Sequence, residues 1–120
     1  MKGLVDSRGR ALVTLSIRSA ADSSEVPLSA WVDTAFTGDL VLPRTEIERL
    51  GLTRSTLTSV VLGDGQESQL PAFTAWIMWF GELREVEVVA SDVETALLGV
   101  TMMLGHRLVV DYRSLRVSLE

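Results

Sequence analysis

The chain has 120 residues, enough for one domain with one modest core, and its 47% hydrophobic and 22% charged content is globular rather than disordered. A formal net charge of −5 without a basic run makes a nucleic-acid backbone a poor partner. No cysteine is present, which excludes disulfides, thiol catalysis and Cys-ligated zinc, and the single histidine, His106, excludes a His-rich metal site within one chain.

Gly3 to Val5 is a short strand, and Asp6-Ser7-Arg8-Gly9 is a hairpin turn leading into a strand over Ala11 to Arg18. In that second strand apolar and β-branched residues alternate with small polar ones, the pattern of a half-buried strand. Val26 to Val32 and Leu40 to Leu42 follow as strands. Pro43 to Leu50 is a short helix: Pro opens it, Ile47 and Leu50 are spaced i, i+3, and Gly51 stops it. Thr45 and Glu48 offer a capping box that would move its start by two residues. Leu57 to Leu62 and Gln69 to Phe80 flank the strong turn Gly63-Asp64-Gly65. Leu83 to Ala90 is the return arm of a further hairpin, with Val86 and Val88 on one face and Glu85 and Glu87 on the other. Thr101 to Leu104, ended by Gly105, is at most a turn or two of helix, and strands over Leu108 to Tyr112 and Leu115 to Leu119 close the chain. Without a linker, low-complexity tract or repeat, residues 1–120 read as a single all-β domain, a small barrel or sandwich with one or two short helices. Ala75 to Phe80 is too short to span a bilayer, and Lys2, Leu4-Val5 and Asp6 do not make a signal peptide. A soluble protein of a reducing compartment, the cytoplasm, is expected.

Trp31-Val32-Asp33-Thr34-Ala35-Phe36-Thr37-Gly38 stands apart. An apolar strand runs straight into an Asp-Thr pair and a Gly-bearing loop. Asp33 therefore sits at the lip of the core, where a carboxylate needs partners. A rigid, partly buried Asp suits general acid–base work on water, but activating water while protonating a leaving group takes two carboxyls. Leu4-Val5-Asp6-Ser7 has a similar local pattern, yet Arg8-Gly9 reads as a plain turn, so Asp6 is a poor second carboxyl. The missing group is expected from a second copy of the chain across a two-fold axis near Asp33. Elsewhere, Asp39 and Asp111 read as structural, capping turns or pairing with Arg44 or Arg113. Trp76, Trp79 and Phe80 read as core or interface packing, and His106 as a loop residue.

These residues resemble the retropepsin-like aspartic proteases, in particular their small bacterial branch. The resemblance covers roughly Ala11 to the end. Val32-Asp33-Thr34-Ala35 is similar to the family's Asp-Thr-Gly signature, and Phe36 to Pro43 to its bacterial continuation. Ala96-Leu97-Leu98-Gly99 is similar to the family's motif of two apolar residues and Gly, which lies under the active-site loop before a short helix. Gly63-Asp64-Gly65 stands where the family has its flap, and a C-terminal strand stands where retroviral relatives build an intersubunit sheet. The resemblance implies a closed acid-protease barrel and an aspartic endopeptidase active as a homodimer on extended or unfolded polypeptide, without metal or cofactor, nucleic acid or membrane. It implies Asp33 as the catalytic residue, with Thr34, Ala35, Thr37 and Gly38 supporting its loop. Gly63, Asp64 and Gly65 would form the flap, and Leu97, Leu98 and Gly99 the motif beneath. Specificity pockets are expected near Phe36, Leu62 and Leu97. The departure is Ala35, where the family usually has Gly. A Cβ there narrows the cleft, and the alternative is a weak or inactive dimerisation or peptide-binding module on the same fold.

Overall fold

Alternating apolar residues make the first three strands, β1 (Lys2–Val5), β2 (Ala11–Arg18) and β3 (Val26–Val32). β2 buries Ala11, Val13, Leu15 and Ile17 and turns the residues between them outward, so one face belongs to a core. The computed structural model describes residues 1–61 and 65–120, for 56–61 and 68 the backbone alone. After β3 come β4 (Leu40–Pro43), α1 (Arg44–Leu50), β5 (Thr53–Val61) and β6 (Glu67–Trp79). β7 (Glu82–Ser91), β8 (Ala96–Leu98), α2 (Val100–Met103), β9 (Leu108–Asp111) and β10 (Arg116–Leu119) complete the chain.

The strands follow the order β5-β6-β7-β4-β8-β3-β2-β1-β10-β9, and β6 also pairs with β2. That extra pairing, Ile17 with Ile77 and Arg18 with Trp76, closes β2, β3, β8, β4, β7 and β6 into a six-stranded barrel. Of the two all-β architectures expected, the barrel is the one formed. Its core is filled by Leu15, Ile17, Leu40, Leu42, Ile77, Leu98 and Met102, all at most 1% exposed. Each such side chain contributes about 1.5–3 kcal/mol by leaving water.

Several local expectations need correction, among them the start of β5, which lies at Thr53 rather than Leu57. β8 was not expected as a strand; its three residues are too few to show alternation, and its partners β3 and β4 lie far away in sequence. Pro43 stands just before α1 rather than inside it, and no side chain caps that end, so the Thr45–Glu48 box does not form. α2 starts at Val100, one residue earlier than expected. Gly51 ends α1 as expected: at φ +66 its N–H reaches the carbonyls of Ile47 and Glu48. Among the described residues no helix is long and apolar enough to cross a membrane.

Candidate active site

β3 carries the chain to the site. It runs parallel to β8, with Trp31 beside Leu97 and Val32 beside Leu98, and the ladder continues one step as the Asp33 N–H donates to the Leu98 carbonyl at 2.9 Å. There the chain leaves the sheet. The Ala35 N–H donates to Asp33 Oδ1 at 2.9 Å, and the Phe36 N–H to the Asp33 carbonyl at 3.3 Å. This is an Asx-type turn, in which the side chain bonds to the backbone two residues on. It fixes one carboxylate oxygen. Among the described residues Oδ2 takes no hydrogen bond, and Asp33 is half-buried while Thr34, Ala35 and Thr37 are exposed.

The loop is clasped from below. The carbonyls of Phe36, Gly38 and Asp39 accept the N–H groups of Val100, Thr101 and Gly99 at 2.8, 3.3 and 2.8 Å. They satisfy donors that the start of α2 would otherwise leave open. Contact here is too close for a side chain at Gly99: an added Cβ would lie 2.0 Å from the Gly38 carbonyl oxygen and 2.6 Å from the Phe36 ring. The structure thus brings Asp33, Gly38, Leu98 and Gly99 together. Ala35 asks for no glycine on backbone grounds, because among the described residues Phe80 and Leu115 are the only non-glycines with positive φ.

Asp39 anchors the far end of the loop. Its carboxylate accepts the Thr101 hydroxyl and, at 3.0 Å, the Glu87 N–H, tying the loop to α2 and β7. The expected pairing with Arg44 or Arg113 is not made, since Arg44 bonds Asp92 at 3.1 Å. Asp111 does cap its own turn. It accepts the N–H groups of Ser114 and Arg113, which hold its carboxyl below the ordinary range.

A cavity beside Asp33 is lined by Arg8, Arg10, Trp31, Thr34 and Leu97 among others. Arg10 went unread in the sequence. Its Nε donates to Asp6 Oδ2 at 2.7 Å, its Nη1 to the Thr95 hydroxyl at 2.9 Å, and its guanidinium lies over the Trp31 ring. The signal available was the Asp6–Arg10 spacing across a tight turn. Asp6 also accepts the N–H groups of Arg10 and Arg8, and these bonds, with the guanidinium, hold its carboxyl below the usual range. Both its oxygens are engaged, which removes it as a second acid.

The other expected residues divide. Leu97 lines the cavity, whereas Phe36 does not; its ring lies against Gly38 and above Gly99. Gly65 belongs to the β5–β6 hairpin at φ +85 and does not line the cavity. Leu62, Gly63 and Asp64 lie outside the described residues. Trp79 is buried, and Phe80 is exposed and stacks on His106 with ring centroids 4.3 Å apart. Among the described residues no three His, Cys, Asp or Glu side chains gather as a metal site.

No family model matches the chain, and no curated protein matches it in sequence. Solved structures do match. A retropepsin-like aspartic protease from Rickettsia conorii gives a TM-score of 0.64 at 15% identity, over 99% of this chain and 88% of that one. The EIAV protease, solved with an inhibitor, gives 0.62 at 20% identity, over 87% of this chain and 96% of that one. The fold is retropepsin-like. Within it, the loop after β3 and the β8–α2 corner form the clasp that holds Asp33.

Proposed function

We propose that this retropepsin-like chain, acting as one domain over residues 1–120, is half of an aspartic endopeptidase completed by a second copy. The observation that carries the reading is the Asp33 turn. One oxygen is fixed by the Ala35 N–H, the other is open beside a cavity, and the loop is clasped by β8 and α2. Such a carboxylate is oriented but not consumed by its own fold. A second identical turn across a two-fold axis supplies the partner. Two carboxyls about 3 Å apart share one proton, as the aspartic proteases illustrate.

The chemistry then follows. The ionised Asp33 takes a proton from a water held between the pair as its oxygen attacks the scissile carbonyl. The protonated Asp33 of the other copy donates to the carbonyl oxygen. The gem-diol collapses as the C–N bond breaks, the amine leaves with a proton, and the shared proton is restored. Thr34 from each copy would link the two loops, and the β5–β6 hairpin around Gly65 would close over an extended peptide through backbone bonds. Activity lies on the acid side and falls as the shared proton is lost.

Ala35 favours a second reading, a module that binds extended peptide without cutting it. The two readings part on one comparison: the parent and Asp33→Asn with an unstructured polypeptide, from about pH 4 to pH 7. The asparagine still accepts the Ala35 N–H, so the fold should persist. Hydrolysis is expected to drop on the order of a thousandfold. Equal cleavage by the two proteins ends the protease reading, and peptide binding without cleavage by either supports the module.

A further inference from the structure

Four side chains on the outside of the barrel form a row that packing within the chain does not explain. Leu4 pairs with Leu12, Leu12 with Trp31, and Trp31 with Leu97, so β1, β2, β3 and β8 each give one apolar residue to the same face. Leu4 is 56% exposed and Trp31 40%, while Leu12 and Leu97 are half-buried. Their chain neighbours Val5, Val13, Ala30 and Leu98 point the other way and fill the core. Exposed apolar residues scattered singly need no explanation, whereas a continuous strip of them marks a surface that something covers.

The strip begins at the cavity beside Asp33, since Trp31 and Leu97 line it. Arg10 and Thr95 belong both to that cavity and to a second one that reaches Leu12 and Ser29. Leu12 and Ser29 belong in turn to a third, which ends at Leu4 and Lys2. Depressions that share their walls make one groove, and it runs across the strands from Asp33 to the outside of β1. Thr14 and Ser29 put hydroxyls along its side. Lys2 and Arg116 stand beside Leu4 at its far end, and among the described residues neither makes an ion pair.

We propose that the polypeptide held at Asp33 continues along this groove, laying apolar side chains on Trp31, Leu12 and Leu4 and an acidic residue against Lys2 and Arg116. The inference rests on the reading of the Asp33 cavity as the peptide site, and it names a stretch of substrate outside that cavity. The occupant is an extended chain because the groove is continuous with the cavity, so a peptide leaving Asp33 on the Trp31 side enters it directly. Neighbouring strands lie about 4.8 Å apart, so the three steps from Leu97 to Leu4 span about 14 Å, which an extended peptide covers with about four or five residues. The peptide crosses the strands and adds no backbone ladder. Its gain comes from apolar area and from charge at the far end, and it depends on the length of the chain more than on one side chain. Contact this far from the scissile bond favours long, unfolded substrates over short peptides.

The test is binding to the full chain carrying Asp33→Asn, which leaves the peptide uncut. Fluorescein-labelled peptides of alternating leucine and serine, closed by glutamate at both ends, are compared at about six residues, enough for the cavity, and at about twelve, enough for the groove as well. By fluorescence anisotropy the longer should bind about tenfold tighter. Leu4→Asp should erase that advantage. Leu4→Ala, which keeps β1 uncharged, should reduce it about threefold. Leu104→Asp, at an exposed leucine after α2, should keep it. Equal affinity for the two lengths overturns the groove and leaves the cavity standing. If neither peptide binds, the groove and the peptide-site reading fall together. A length advantage in a chain whose parent cuts no polypeptide keeps the groove and removes the catalytic reading. A Leu4→Asp variant that retains the full advantage overturns the path across β1. So does one whose mass in solution differs from the parent's, since a second copy then covers this face.

Discussion

Val5-Asp6-Ser7 and Val32-Asp33-Thr34 both leave a strand through an aspartate followed by a hydroxyl residue. In both, Oδ1 accepts the N–H two residues on, from Arg8 in one turn and Ala35 in the other. They differ in the second oxygen and in what lies beneath. Asp6 Oδ2 is held by the Arg10 guanidinium at 2.7 Å, and the turn depends on its own residues. Asp33 Oδ2 takes no bond among the described residues, and its loop is held by backbone from β8 and α2. Local chemistry makes the same turn twice; a guanidinium four residues on occupies the second oxygen of Asp6, and no described residue does so for Asp33.

The strongest way to break that contrast is Gly99→Ala. The new Cβ has no room against the Gly38 carbonyl, which is backbone and cannot swing aside. A loss of about 3 kcal/mol in urea unfolding is expected, with the Asp33 loop displaced and the Asp6 turn intact. A variant as stable as the parent would mean that the clasp is looser than its geometry. Asp39→Ala is milder. It strands the Thr101 hydroxyl and the Glu87 N–H, for a cost of about 1–3 kcal/mol, also read by urea unfolding. A loss comparable to an ordinary surface change, under about 0.5 kcal/mol, would show that β8 alone holds the loop.

The contrast also explains what was legible in the sequence. β2 and β3 have the expected ends because one face of each is buried and alternation marks it. The Asp33 turn was legible because an apolar strand runs into Asp-Thr, whereas its candidate role came from the family resemblance and not from that pair alone. Barrel closure was legible only through the family resemblance, since locally it rests on two residue pairs between β2 and β6. The partners of Asp39 were not legible, because they come from positions 48 and 62 residues away. The capping box at Thr45 and Glu48 misled because the chain enters α1 straight from β4, so helix begins at Arg44 before the box can act. Pairwise bonds between distant elements leave no periodicity to read.

The smallest effect expected comes from Asp6→Asn, and it sharpens the comparison from the other side. The amide oxygen can still accept the N–H groups of Arg8 and Arg10, so the turn should form. What disappears is the ionised bond to the Arg10 guanidinium. The carboxyl of Asp6 is lowered in the folded chain, first by the Arg10 N–H, so on acidification the unfolded chain takes up the proton first. Its stabilisation is therefore present above the ordinary value of about 3.9 and is lost as pH falls through the lower folded value. Urea midpoints of parent and variant should differ slightly at neutral pH and converge on the acid side. A gap that stays constant down to pH 2 would mean that the ionised pair does not stabilise this turn. Asp6 and Asp33 would then differ in geometry alone.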